Sequence, residues 1–249
     1  LRTFVADERA EVERAVAREI EALVRAKPTA VLGLATGNTP IGVYAELIRL
    51  HREESLDFSR VTTFNVDEYW GLPPGHPRTF RRWMHEHLFD HVNVPPDNIR
   101  MPDAGLPPER TVEFCARYEA AIEKAGGIDL LILGIGRNGH IGFNEPGAAR
   151  DSRTRIVDMA PMTRTDAAAA FGSVDEVPKQ TITIGLATIL DARSIRTMAF
   201  GSSKAEIVAR LLSEPIGPDL PATYLREHAD VTLHLDREAA ARIGPGERK

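Results

Sequence analysis

Hydrophobic and polar positions along the chain switch repeatedly between a helical period and short, nearly unbroken apolar runs. A helix-period segment covers about Ala6 to Ala26, and the apolar run AVLGLATG that comes next reads as a strand. A second helix opens near Thr39 and Pro40 and continues to about Glu53. The segment VTTFNVDEY reads as a strand ending in the acidic pair Asp67 and Glu68; after it come the Pro/Gly-rich stretch WGLPPGHPR and the helix-like TFRRWMHEHLFDHV. A helix from Arg110 to Ala125 precedes DLLILGIG, whose continuous apolar character suits a strand buried on both faces. Further on, TITIGLATILDA is apolar, SIRTMAFG reads as a strand, SKAEIVARLL as a helix, and DVTLHLD as a last strand before a short helix.

This alternation predicts an α/β fold with a largely parallel sheet, organised as a single domain over residues 1–249, with a possible lid around residues 70–90. In open sheets of this kind ligands sit outside the carboxyl ends of the strands. The loops after Leu34, Val66, Gly134 and Phe200 are therefore expected to line one crevice.

Composition narrows the functional classes. No stretch approaches the ~18 consecutive apolar residues a membrane helix needs, and the opening LRTFVADERAEVERAV carries no secretory pattern. The single cysteine, Cys115, excludes an internal disulfide framework and a cysteine-based zinc site, and suits a reducing cytoplasm. A net charge of −5 argues against a general nucleic-acid binder, while leaving room for a small anionic ligand held by a few cations in a pocket. His85, His87 and His91 do not share one helix edge, so no metal site is expected. Nothing in the pattern speaks to oligomeric state or allosteric control.

Four loops hold the candidate chemistry. ATGNTP, from Ala35 to Pro40, places small residues and amides at a helix N-terminus, where Thr36, Gly37, Asn38 and Thr39 could receive a phosphate; a plain strand-to-helix turn is the alternative. Lys204 in GSSKAEIV could add a positive side chain at a second such terminus. Asp67 and Glu68 point to opposite faces of a continuing strand, so at most one should enter the crevice, where desolvation would suit it to act as a general base. GIGRNGHIGFNEPG contains a literal G-x-G-x-x-G at Gly134, Gly136 and Gly139, but His140 to Gly147 is a poor helix start, which argues against a dinucleotide-binding loop. The same segment suits a catalytic loop in which His140, Asn138 and Glu145 form a proton relay.

The motifs LGLATGNTP, TFNVDEYWGLP, LGIGRNGHIGFNEPG, SRTRI, VPKQTITIG and GSSKAE, in this order, resemble the glucosamine-6-phosphate deaminase (isomerase) family over nearly the whole chain. The resemblance implies a Rossmann-like three-layer α/β/α fold, a small amino-sugar phosphate as substrate, and a metal-independent reaction without a cofactor. In it the sugar ring opens, an enediol-type intermediate forms and ammonia leaves. It implies Asp67 as the proton acceptor, His140 as the ring-opening acid/base with Asn138 and Glu145 orienting it, and Thr36, Gly37, Asn38, Thr39 and Lys204 as phosphate ligands. Two positions depart from the family pattern. Asn138 stands where many members have aspartate, and Ala169 where an arginine usually helps clamp the phosphate, with Arg164 or Arg153 as candidates to replace it. The related 6-phosphogluconolactonases generally lack the FNEP segment with its acid, so Glu145 favours deamination; a non-catalytic sugar-phosphate sensor is a second class of reading.

Overall fold

The computed structural model describes residues 1–73 and 75–244; Pro74 of the WGLPPGHPR stretch and the last five positions of the expected domain lie outside them. In chain order the first elements are β1 (Arg2–Ala6), α1 (Arg9–Ala26), β2 (Val31–Leu34), α2 (Ile41–Glu54), β3 (Thr62–Asn65), β4 (Asp67–Trp70) and α3 (Phe80–His87). They are followed by β5 (Ile99–Arg100), α4 (Thr111–Lys124), β6 (Leu130–Gly134), β7 (Arg155–Asp158) and α5 (Pro161–Phe171). The last are β8 (Gln180–Thr183), α6 (Leu186–Leu190), β9 (Ser194–Ala199), α7 (Ala205–Ser213) and β10 (Val231–Asp236).

Seven strands form a central sheet in the order β1-β10-β9-β6-β2-β3-β5, parallel at every pairing. Period-2 alternation splits its side chains between two helical layers. Leu131 and Leu133 of β6 pack with Tyr118 and Ile122 of α4, Ile189 of α6 and Leu211 of α7. Leu130 and Ile132 face the other way, onto Val16 and Ile20 of α1 and Tyr44 and Leu47 of α2. This is the expected Rossmann-like three-layer α/β/α arrangement. From β2 the chain works outward through β3 to β5, then returns to place β6 on the opposite side of β2. The loops after β2 and β6 therefore diverge, and the gap between them is the switch point where open α/β sheets bind ligands.

The structure departs from the expected elements in three places. The helix expected from Ala6 begins at Arg9, because Arg2–Ala6 is an edge strand paired with β10; it is too short and too partly buried, with Phe4 exposed, for a period to show. The expected strand VTTFNVDEY is two strands in two sheets. Val66 is the pivot: its N–H donates to Leu34 O of the main sheet at 2.9 Å, and its carbonyl accepts from Ile184 N at 2.8 Å. Beyond it β4 joins a small antiparallel sheet, β4-β8-β7. After β10 the chain forms turns in place of the expected short helix.

Candidate active site

A crevice of about 320 Å³ opens at the switch point, and all four expected loops contribute to its lining. One end is formed by the loop between β2 and α2. Thr36, Gly37, Asn38 and Thr39 line it, and Gly37 adopts φ +90, a left-handed conformation open to glycine at no steric cost. The loop is braced from α1, since Arg9 donates to Asn38 O at 2.5 Å while its guanidinium lies 4.7 Å from the Phe200 ring centroid. Lys204, just before α7, reaches back so that Nζ donates to Ile135 O at 2.6 Å. Its burial lowers the ammonium pKa; nearby Asp166 offsets part of this and Arg137 adds to it.

Asp67 and Glu68, the acidic pair, have separated functions. Both are buried, but only Asp67 lines the crevice. Glu68 accepts hydrogen bonds from Tyr69 N and Phe80 N, each at 2.8 Å, and from Arg81 N at 2.9 Å, so it caps the start of α3. Burial pushes its pKa up to about 7 against the pull of those three amides. Asp67 has no hydrogen-bond donor among the described residues, and burial, reinforced by the charge of Glu68, pushes it up to about 8. A carboxylate so placed is a base in the neutral range.

The catalytic-loop candidates form one chain of contacts. Gly136 lets His140 fold back over the loop, because a Cβ there would lie 2.2 Å from the ring. Gly136 N–H also donates to His140 O at 2.9 Å. No helix starts on this loop; the next one in the chain is α5, which supports setting the dinucleotide reading aside. Asn138 Oδ1 lies 2.7 Å from His140 Nδ1, and Asn138 Nδ2 donates to Glu145 Oε2 at 2.7 Å. An amide oxygen only accepts, so His140 Nδ1 carries the proton and Nε2 is left to accept. Glu145 Oε2 is 3.3 Å from the same Nδ1, and Ala160 N donates to Glu145 Oε1 at 3.2 Å. Burial opposes the charge of Glu145, but hydrogen bonds led by that to His140 outweigh it and hold the carboxyl down to about 2. Of the expected site residues, Asn138 and Glu145 stand behind His140 and do not themselves line the crevice.

Several lining residues carried no local signal in the sequence: Tyr69, Phe80, Phe143, Met159, Thr163 and Asp166. Met159, Thr163 and Asp166 come from α5 and the turn before it, which the hydrophobic pattern left unmarked because α5 has an almost uniform alanine-rich surface. Thr163 Oγ1 lies 3.3 Å from His140 Nδ1. The two arginines expected to replace the missing clamp are engaged elsewhere. Arg164 donates to Val174 O and Val177 O at 2.7 and 3.1 Å, and Arg153 is paired with Asp191 at 2.5 Å beside a different cavity. Ala169 is exposed on α5 and does not line the crevice.

Fold and crevice together define a doubly wound α/β protein whose switch-point crevice gathers the Thr36–Thr39 loop, Lys204, the buried Asp67 and His140. The family described as glucosamine-6-phosphate isomerases/6-phosphogluconolactonase matches residues 6–234, and the chain belongs to it. It is 44% identical to a glucosamine-6-phosphate deaminase of Geobacillus sp. strain WCH70 over 239 residues, covering 96% of this chain and 94% of that relative. The solved structure of a monomeric glucosamine-6-phosphate deaminase superposes with a TM-score of 0.94 at 42% identity, covering 98% of this chain and all of that one. A 6-phosphogluconolactonase from Thermotoga maritima shares the fold, with a TM-score of 0.73 at 23% identity over 94% of this chain and 98% of that one.

Proposed function

We propose that the chain converts glucosamine 6-phosphate and water to fructose 6-phosphate and ammonia, and that the crevice performs the proton transfers. The observation that carries this reading is Asp67, a buried carboxylate without a hydrogen-bond donor on the crevice wall, with its pKa raised to about 8. Removing a proton from a carbon next to a carbonyl needs a desolvated base in the neutral range, and this is one. The near-full-length likeness to deaminases at over 40% identity supports the same reading.

His140 Nε2 takes the proton of the anomeric hydroxyl and returns it to the ring oxygen, which opens the sugar to its aldehyde. Asp67 removes the proton from C2 while the carbonyl oxygen takes one from the substrate's ammonium group, giving an enol-amine, and Asp67 then returns its proton to C1. The resulting 2-imine is hydrolysed by water, which releases ammonia and leaves the ketose. These are proton transfers and a hydrolysis, so the sequence requires no electron carrier. Asn138 and Glu145 hold the His140 ring in the tautomer that leaves Nε2 basic. Thr36, Gly37, Asn38, Thr39 and Lys204 hold the phosphate, fixing C1 and C2 near the two bases. We read residues 70–90 as a cover for the bound sugar: Phe80 forms part of the wall, and the segment meets α5 through the stacked rings of His76 and Phe171, 6.5 Å apart.

No helix among the described residues is long and apolar enough to cross a membrane. We place the protein in the cytoplasm, in keeping with its one cysteine, buried and unpaired on α4. The assay that tests the function is ammonia and ketose-phosphate release from glucosamine 6-phosphate, with galactosamine 6-phosphate and 6-phosphogluconolactone alongside. Equimolar ammonia and fructose 6-phosphate are expected; turnover of the lactone alone, or of none of the three, overturns the reading.

A further inference from the structure

We infer that Arg137 is a phosphate-binding residue of the crevice and that Asp166 is the positioning residue that aims it; this rests on the reading of the crevice as a sugar-phosphate site. Arg137 follows Gly136, and both Gly136 and Asp166 line the cavity, as do Lys204 and the Thr36–Thr39 loop. Asp166 on α5 grips one edge of the guanidinium, accepting from Nε at 3.0 Å and from Nη2 at 2.6 Å. Nη1 has no hydrogen-bond partner among the described residues, so one edge of the fork is held while the other remains available. A planar fork anchored this way matches two oxygens of a tetrahedral dianion.

The surrounding charges point to the same ligand. Arg137 and Lys204 are near enough for the arginine to oppose the lysine's charge, and Asp166 relieves both. A lysine of the lining and an arginine held by a lining carboxylate, close enough to feel each other's charge, favour entry of a further anion. The Thr36–Thr39 loop packs against Gly134, where the loop carrying Arg137 begins, since a Cβ there would lie 3.3 Å from Thr39 Oγ1. No arginine is among the described residues that line the crevice; Arg137 is gripped by the carboxylate of a lining residue, Asp166, whereas Arg164 and Arg153 are spent on other contacts. The guanidinium that α5 lacks at Ala169 is thus supplied by the loop after β6, with α5 contributing the acid that steers it.

The test uses inorganic phosphate as probe, measured by calorimetry, together with steady-state kinetics on glucosamine 6-phosphate. Arg137→Ala should weaken phosphate binding and raise KM roughly 10- to 100-fold, the range for a lost charged hydrogen-bond pair, with a much smaller change in kcat. Arg137→Lys, which keeps the charge and loses the fork, should fall between, and Asp166→Asn should raise KM by less than Arg137→Ala. Arg164→Ala should leave phosphate affinity unchanged. Wild-type phosphate affinity in both Arg137 variants, or a loss confined to kcat, would overturn the assignment. Phosphate binding that depends on Arg137 in a protein that turns over no amino sugar would uphold it while overturning the proposed reaction.

Discussion

At the scale of single residues, the chemistry depends on the inequivalence of the two ring nitrogens of His140. Asn138 Oδ1 at 2.7 Å takes the Nδ1 proton, and Asn138 in turn leans on the ionised Glu145. A neutral amide can orient a ring and cannot accept its proton, so Asn138 aims His140, and the group near Nδ1 that carries charge is the Glu145 carboxylate at 3.3 Å. His140→Gln removes the group proposed to move the proton between the anomeric hydroxyl and the ring oxygen, and leaves Asp67 in place. Activity on substrate supplied in open-chain form should therefore exceed activity on the ring form, measured in rapid mixing before the forms re-equilibrate. Equal losses on both would exclude the ring-opening role. His140, Asn138 and Glu145 could be picked out from the sequence because they lie within eight positions of one glycine-rich loop. Thr163 and Asp166 reach the same place from a helix more than twenty positions away from His140, and only the tertiary fold brings them there.

Among the elements, the most consequential feature is the break at Val66, where one apolar-looking run becomes β3 of the main sheet and β4 of the small one. Hydrophobic pattern could not reveal it, because Thr62–Trp70 is buried almost throughout and carries no glycine or proline to mark a break. The strands β2 and β6 were legible for the opposite reason: they sit in the sheet interior with helices on both faces, which demands an unbroken apolar run. The break also divides the acidic pair. Asp67 turns to the crevice, and Glu68 accepts from the first two amides of α3, those of Phe80 and Arg81, as well as from its neighbour Tyr69 N. Glu68→Ala leaves the amides of Phe80 and Arg81 at the start of α3 without their buried acceptor, a loss of about 2 kcal/mol. Chemical denaturation should show that loss, and KM should rise, since Phe80 at the first position of α3 is part of the crevice wall. Unchanged stability would mean that water replaces the carboxylate without cost.

At the scale of the whole molecule, the fold places its site where two layers of helices and two sheets meet, and this makes Asp67 a source of instability as well as reactivity. Its folded pKa, about 8, lies far above the ordinary aspartate value. Between those two values the folded state holds a proton that the unfolded chain releases, so stability falls as pH rises through that window and levels off above pH 8. The slope has an upper limit of about 1.4 kcal/mol per pH unit for one proton. Glu68, raised to about 7, adds to the fall in the same direction. Glu145, held at about 2, acts oppositely: its contribution is present above the ordinary glutamate value and is lost as pH drops toward 2. Asp67→Asn keeps the shape and removes one titration. That variant should lose turnover and should melt progressively higher than the wild type as pH is raised from 5 to 8, the gap narrowing toward the ordinary aspartate value, below which Asp67 is protonated folded or unfolded. A melting difference that stays constant across this range would show that Asp67 is ionised throughout. The crevice would then have to be holding the carboxylate with a charge partner, and the base proposed for C2 would be a weaker one.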